Sequence, residues 1–162
     1  HIPRSLHPDT DMKIISGAQT GADRAAIDAA ISLGLDYGGS VPKGRKAEDG
    51  PIDKKYDKLT ELDTTKYKIR TEKNMIDADA SLIFTIGNPT GGTAFTVACA
   101  KKHRKPYLLA DLKDKSDEEA IKQIQDWLQK NKPDVLNIAG PRESKCRGIY
   151  EMTLNILKEA LR

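Results

Sequence analysis

The fold is decided by the stretch Lys13-Ile14-Ile15-Ser16-Gly17-Ala18-Gln19-Thr20-Gly21-Ala22-Asp23-Arg24. In this stretch a short apolar run leads through a glycine-bearing turn into an alanine-rich segment. Residues 13–16 are typical of a buried strand and residues 20–33 of a helix, with Gly34 placed to end that helix in a left-handed conformation. A strand, a tight turn and a helix in this order are the repeating unit of an α/β fold.

The same order recurs along the chain. Further strands are predicted over residues 39–41, 81–86, 106–110 and 135–139. Further helices are predicted over residues 70–77, 91–103 and 144–161, and one more from Ser116, which forms a capping box with Glu119. Residues 42–66 are predicted to be a long loop. Strands that alternate with helices predict a Rossmann-like parallel sheet with helices on both faces.

Length and composition bound the class of protein. The 162 residues suit one domain, predicted over residues 12–162, after a flexible arm or expression remnant over residues 1–11. A net charge of +3 and 5% aromatic residues argue against a nucleic-acid binder. No apolar run is long enough to cross a bilayer, and the two cysteines form no Cys-x-x-Cys pair. We therefore expect a cytoplasmic protein with no membrane partner.

Three loops follow predicted strands and lead into predicted helices: residues 16–21 (the first loop), 87–93 (the second loop) and 140–144 (the third loop). Turns at the carboxyl ends of parallel strands share one edge of the sheet, where α/β folds bind ligands. Glycines allow close approach there, and the free amides of a first helical turn attract phosphate. The candidate binding residues are Gly17, Ala18, Gln19, Thr20, Gly21, Arg24, Lys43, Arg70, Glu72, Asn74, Thr90, Gly91, Gly92, Thr93, Gly140, Pro141, Arg142, Glu143 and Ser144.

These loops match neither Gly-x-Gly-x-x-Gly nor a Walker loop, which argues against a standard dinucleotide dehydrogenase or an ATPase. Several other polar residues have two interpretations. Arg70 and Asn74 share a helix face that excludes Glu72, and that face is either solvated or directed at a ligand. Asp23 either caps the first helix or pairs with Arg24, and Asp79 is interpreted as a turn or cap residue.

The ordered motifs resemble those of the molybdenum cofactor carrier proteins. They are 15–26 (ISGAQTGADRAA), 42–45 (PKGR), 48–51 (EDGP), 70–74 (RTEKN), Asp79 with 91–94 (GGTA), and 137–144 (NIAGPRES). The resemblance covers nearly all of residues 12–162. The family usually has glycine where this chain has Ala18, a departure that removes backbone freedom from the first loop.

The resemblance implies a circularly permuted relative of the lonely-guy-type phosphoribohydrolases. In those hydrolases a catalytic glutamate follows the glycine motif, whereas here Gly91-Gly92 is followed by Thr93-Ala94-Phe95-Thr96-Val97-Ala98. Without that carboxylate, cleavage of an N-glycosidic bond loses its acid or charge stabiliser. The resemblance therefore implies binding, with no catalytic residue assigned.

The expected function is binding and carriage of the molybdenum cofactor, molybdopterin, or otherwise of a nucleotide-like phosphate ligand. The alternatives are a nucleotide-sensing module and a nucleoside-monophosphate phosphoribohydrolase-like enzyme. By analogy, the resemblance also implies a homo-oligomer, either a dimer or a tetramer. Its partners would be a small anionic ligand and a molybdoenzyme or a protein of cofactor synthesis, with no metal ligands of its own assigned.

Overall fold

The computed structural model describes residues 12–162, and the predicted arm over residues 1–11 lies outside them. The elements are, in chain order, β1 (Lys13–Ile15), α1 (Ala22–Leu33), β2 (Tyr37–Gly38), β3 (Ser40–Val41), β4 (Lys46–Ala47), β5 (Gly50–Pro51), β6 (Thr60–Glu61), α2 (Tyr67–Asp77), β7 (Ala80–Thr85), α3 (Gly91–Lys102), β8 (Tyr107–Asp111), α4 (Asp117–Asn131), β9 (Val135–Ala139) and α5 (Ile149–Ala160). Within these residues, none of the helices combines the length and apolarity that crossing a bilayer requires.

The central sheet has the strand order β2-β1-β9-β7-β8, and every neighbouring pair is parallel. Helices α1, α4 and α5 pack together on one face, and α2 packs with α3 on the other. This arrangement confirms the predicted α/β fold. The capping box is also confirmed, because the Glu119 amide donates to Ser116 Oγ at 3.1 Å and the Ser116 amide to Glu119 Oε1 at 2.8 Å.

Alternation along β7 and β9 gives the sheet an apolar face and a polar face. Leu82, Phe84 and Ile138 are fully buried in the core that includes α1, α4 and α5. Their neighbours Ser81 and Asn137 face the α2 side, where the Asn137 amide donates to Ser81 Oγ at 3.1 Å and Ser81 Oγ to Met75 Sδ at 3.2 Å. The strand period of two therefore places polar groups beneath α2 and α3.

The last helix begins at Ile149, so its predicted start at Ser144 is wrong. The Glu143 carboxylate accepts hydrogen bonds from the amides of Gly148 at 2.6 Å and Tyr150 at 3.0 Å. The acid therefore satisfies the first amides of α5, and residues 144–148 form turns before it. The second helix, in turn, begins three residues before its predicted start at Arg70, at Tyr67.

Residues 42–66 contain more structure than the predicted loop. A 3-10 turn, Lys43–Arg45, precedes an antiparallel hairpin of β4 and β5, and β6 pairs in parallel with β3 outside the central sheet. The edge strand β2 was missed by the sequence analysis, because two residues give no readable period. The hairpin carries Glu48 to the carboxyl edge of the central sheet, where its carboxylate contacts Ser144.

Two glycines with positive φ allow the cost of a steric overlap to be compared with the cost of backbone strain alone. Gly21 (φ 79°) begins α1, and a Cβ there would overlap the Pro141 carbonyl, whereas Gly34 (φ 72°) ends α1 in open space. We predict that Gly21→Ala lowers the free energy of unfolding by about 3 kcal/mol or more, because strain and overlap add. Gly34→Ala, the matched control, should cost about 1 kcal/mol. Equal losses in urea titrations would contradict this close approach of the first and third loops.

Candidate functional site

A cleft of about 530 Å³ lies at the carboxyl ends of β1, β7 and β9, on the side of the sheet covered by α2 and α3. It brings together many of the residues singled out in the sequence. These are Gly17, Gln19, Arg70, Asn74, Thr90, Gly91, Gly92, Thr93, Gly140, Pro141 and Arg142. The volume falls in the range of small-molecule sites. One edge of the sheet thus gathers parts of all three loops.

Several other lining residues were not selected from the sequence, among them Asp23, Tyr67, Lys68, Phe95, Thr96, Asn137, Lys145 and Cys146. Asn137 carried a readable signal, since it is an amide within the apolar strand Leu136-Asn137-Ile138. Lys68 and Lys145 gave none, because exposed lysines are common everywhere. Together with Arg70 and Arg142, they give the cleft four cationic side chains against one acid, Asp23. The electrostatics favour an anionic ligand.

The second loop leaves the start of α3 open. Among the described residues, no backbone carbonyl accepts a hydrogen bond from the amides of Gly91 and Gly92, and the Thr90 side chain does not cap the helix. A Cβ built on either glycine would meet nothing within 4 Å. Free amides, open space and the positive end of a helix dipole form a place for a phosphate group.

The first loop is closed by the third loop. The Ala22 amide, at the start of α1, donates to the Pro141 carbonyl at 3.1 Å, and the Glu143 amide donates to Thr20 Oγ1 at 3.1 Å. Ala18 is fully buried and has a left-handed backbone (φ 57°), the conformation for which glycine is the usual residue. The start of α1 is therefore filled by the protein itself.

The third loop is occupied by Glu48 from the β4–β5 hairpin. Its carboxylate accepts hydrogen bonds from the Ser144 amide at 3.2 Å and from the hydroxyls of Ser144 and Thr20, and it lies 3.8 Å from Arg142 Nε. Partial desolvation opposes ionisation, but the hydrogen bonds from Ser144 and Thr20 hold the pKa of Glu48 below its ordinary value. A carboxylate of the protein itself therefore occupies Thr20 and Ser144, two residues that were predicted to bind a ligand.

Arg70 joins the cleft to the first loop. It is 8% exposed, and its Nη1 donates to the Gly17 carbonyl at 2.9 Å and lies 3.9 Å from Asp23 Oδ2. Burial raises the pKa of Asp23 to about 6, although the Arg70 charge and the amides of Gln19 and Gly140 lower it in part. The carboxyl of Asp23 therefore titrates close to neutral pH.

The remaining predicted residues lie outside the cleft or serve the scaffold. Arg24 pairs with Asp49 at 3.0 Å rather than with Asp23, and Glu72 contacts Lys102 at 2.9 Å and His103 at 2.6 Å. Thr20, Gly21, Arg24 and Glu143 line a second, shallower hollow, and neither hollow includes Lys43 or Ser144.

Asn74 lines the cleft, but both ends of its amide are held by Ser40, at 2.8 and 3.1 Å. Its primary role is to attach α2 to β3. The Asp79 carboxylate accepts from the amides of Asp134 and Val135, so it has a structural role, but it joins the start of β7 to the start of β9 and does not cap a local turn. Burial, with the nearby Glu143 charge, raises the pKa of the Cys146 thiol, so this residue is protonated at neutral pH.

The fold and the site define a Rossmann-like protein with a cleft whose charged lining is mainly cationic. The family model of the circularly permutated YpsA SLOG family matches residues 14–161, and the chain belongs to that family. A crystal structure of a "Putative molybdenum carrier protein" from Syntrophus aciditrophicus SB is 47% identical, with a TM-score of 0.90 over 93% of this chain and 95% of that chain. No protein with a curated description shows significant similarity.

The raised pKa of Asp23 gives a testable pH dependence. Because the folded pKa (about 6) exceeds the ordinary aspartate value of 3.8, the folded state holds this proton more tightly, and the carboxyl lowers stability as pH rises from 4 to 7. Asp23→Asn lacks the charge. The free energy of unfolding of the variant relative to the parent should therefore rise by about 3 kcal/mol across that window. A difference that stays constant in urea titrations at pH 4 and pH 7 would contradict the burial of this charge.

Proposed function

We propose that the cleft binds the phosphate-bearing pterin of the molybdenum cofactor and that the protein carries it. The observation that carries this proposal is the open start of α3 beside four cationic side chains. The name of the 47% identical neighbour, a molybdenum carrier protein, supports this choice of anion. A nucleotide-like phosphate ligand shares the same terminal group and is the second candidate for the same site.

The phosphate would bind at the amides of Gly91 and Gly92, because those donors have open space above them. Arg142 and Lys145 line the same cleft and would neutralise the phosphate charge. Arg142 also lies 3.8 Å from Glu48 Oε1, so an internal acid positions the guanidinium near the cleft. The ligand phosphate would compete with Glu48 for this arginine without displacing Glu48 from Ser144.

The ring system would occupy the part of the cleft between α2 and α3. Tyr67 and Phe95 supply aromatic surface there, and Lys68 Nζ lies 5.2 Å from the centre of the Phe95 ring. Aromatic walls with a few fixed polar groups are typical of sites that hold flat heterocycles. The polar side chains of Asn137 and Asp23 also line the cleft and are buried, at 3% and 7% exposed.

Carriage needs reversible binding and no covalent step. Every group invoked here acts through hydrogen bonds, charge or shape. A carrier that shields a labile pterin would release it to a molybdoenzyme or receive it from a protein of cofactor synthesis, and a dimer or tetramer is the assembly that we expect in solution.

A pair of variants at Gly92 tests the phosphate site. Gly92 has ordinary backbone angles and open space, so Gly92→Asp and Gly92→Asn should both fold. The aspartate places a negative charge on the phosphate position, whereas the asparagine has the same size and no charge. For molybdopterin released from a molybdoenzyme, Gly92→Asp should weaken binding by about a hundredfold and Gly92→Asn by less than about tenfold.

Fluorescence of the pterin measures both affinities, and urea titration checks that the variants are folded. Parent-like binding by Gly92→Asp would place the phosphate elsewhere. Equal losses of affinity in the two variants would mean that binding depends on the open space over Gly92 and not on the absence of negative charge there. Failure of the folded parent to bind molybdopterin would contradict the proposed function itself.

A further inference from the structure

Asp23 has an oxygen that the protein leaves unsatisfied. The residue is 7% exposed and lines the cleft. The amides of Gln19 and Gly140 are near enough to lower its pKa, but among the described residues no donor meets hydrogen-bond geometry with Oδ1. Buried carboxylate oxygens without a donor are rare, because desolvation costs them their hydration. The other oxygen, Oδ2, faces Arg70 Nη1 at 3.9 Å. The unsatisfied oxygen therefore marks a position where a ligand can supply a donor.

Asn137 adds a second acceptor to the same cleft. Its Nδ2 donates to Ser81 Oγ at 3.1 Å, and that hydroxyl donates onward to Met75 Sδ at 3.2 Å. These bonds fix the amide so that its nitrogen faces Ser81, and the structure gives its carbonyl oxygen no donor among the described residues. Asn137 pairs in register with Ile15, next to Ser16, whose hydroxyl donates to the Asp23 carbonyl. Both acceptors line the same cleft, and the amide of Gly140, three residues along the chain from Asn137, is near enough to the Asp23 carboxyl to lower its pKa.

The surroundings restrict what can donate. Arg70 from α2 and Arg24 from α1 are the charged groups whose fields act on the Asp23 carboxyl. With Lys68, Arg142 and Lys145 also in or beside the cleft, a bare metal cation would meet repulsion. A ligand that is anionic overall but carries uncharged N–H groups avoids this repulsion and can still donate to Asp23 and Asn137.

We propose that Asp23 and Asn137 accept hydrogen bonds from the ring of the ligand and select a 2-amino-4-oxopyrimidine, the ring that pterins and guanine share. One edge of that ring carries adjacent ring N–H and exocyclic NH₂ donors, which match two acceptors. Adenine offers one amino donor beside a ring acceptor, and hypoxanthine lacks the exocyclic amino group. This inference rests on the proposed function, since it concerns the ring of the ligand whose phosphate binds at α3.

The titration of Asp23 fits this role. A carboxyl with a pKa of about 6 is ionised at pH 7.5 and accepts two hydrogen bonds in that state. Hydrogen bonds to a charged acceptor are stronger than those between neutral groups. The acidic residue therefore favours a donor-rich ring over a ring that presents its own acceptors.

Calorimetry at pH 7.5 with four probes tests the inference on the unmodified protein. The probes are guanosine, inosine and adenosine 5′-monophosphates, which share ribose and phosphate, and the phosphate ester of 6-hydroxymethylpterin. Guanosine monophosphate and the pterin phosphate should each bind at least about tenfold more tightly than the inosine and adenosine nucleotides. The tighter of the two preferred probes then identifies whether the natural source of the ring is a pterin or a guanine nucleotide.

Asp23→Asn should reduce the affinity for guanosine monophosphate by about tenfold and leave inosine monophosphate within about threefold of the parent. Asp126→Asn, an exposed change on α4, is the matched control and should leave all four affinities unchanged. Equal affinities of the parent for the three nucleotides would overturn ring selection. An equal loss of affinity for all three nucleotides in Asp23→Asn would also overturn it, because the carboxyl would then contact the shared ribose or water.

The two proposals fail differently. If ring selection alone is wrong, the nucleotides bind equally and Gly92→Asp still weakens all of them. If the proposed phosphate site is wrong, Gly92→Asp changes no affinity, whatever the ranking of the rings. Absence of binding by any of the four probes to folded protein overturns both.

Discussion

Helices that start at one edge of a parallel sheet bring unpaired amides together, and each group of amides needs acceptors. This chain supplies acceptors from within for two of its three ligand-edge loops. The Pro141 carbonyl meets the start of α1, and the carboxylates of Glu143 and Glu48 satisfy α5 and the third loop. Only the start of α3 lacks such an acceptor among the described residues. The proposed location of the anion site rests on this difference, because an external phosphate can bind only where the protein has not already placed a group of its own.

The internal acids also organise the positive charge of the cleft. Glu48 positions Arg142, and Asp23 faces Arg70, whose guanidinium is fixed on the Gly17 carbonyl. Arg70 is buried and hydrogen-bonded, so little of its conformational entropy remains to be lost when a ligand binds. Asp23 differs from Glu48, because one of its oxygens has no donor. In the proposed account, the cationic side chains of the cleft serve the phosphate, and Asp23 and Asn137 serve the ring.

The fold and the shared edge of the loops could be predicted from periods and glycines, because strand period and turn chemistry are local properties. The loop that stays open could not be predicted, because one of the other loops is filled by Glu48, a residue far along the chain from Ser144. The helix predicted from Ser144 begins instead at Ile149, where the Glu143 carboxylate accepts from the amides of Gly148 and Tyr150. Asn137 was visible as a polar residue in an apolar strand, but only the fold shows that it faces the cleft.

The most direct measurement follows the backbone amides of ¹⁵N-labelled protein during titration with guanosine 5′-monophosphate, with guanosine as the control that lacks phosphate. An anion at the start of α3 should shift the amide signals of Gly91 and Gly92 with the nucleotide and not with the nucleoside. The amides of Ala22 and Ser144 should shift little, since they already have internal acceptors. Large phosphate-dependent shifts at Ala22 and Ser144, with Gly91 and Gly92 unchanged, would contradict the assignment of the anion site.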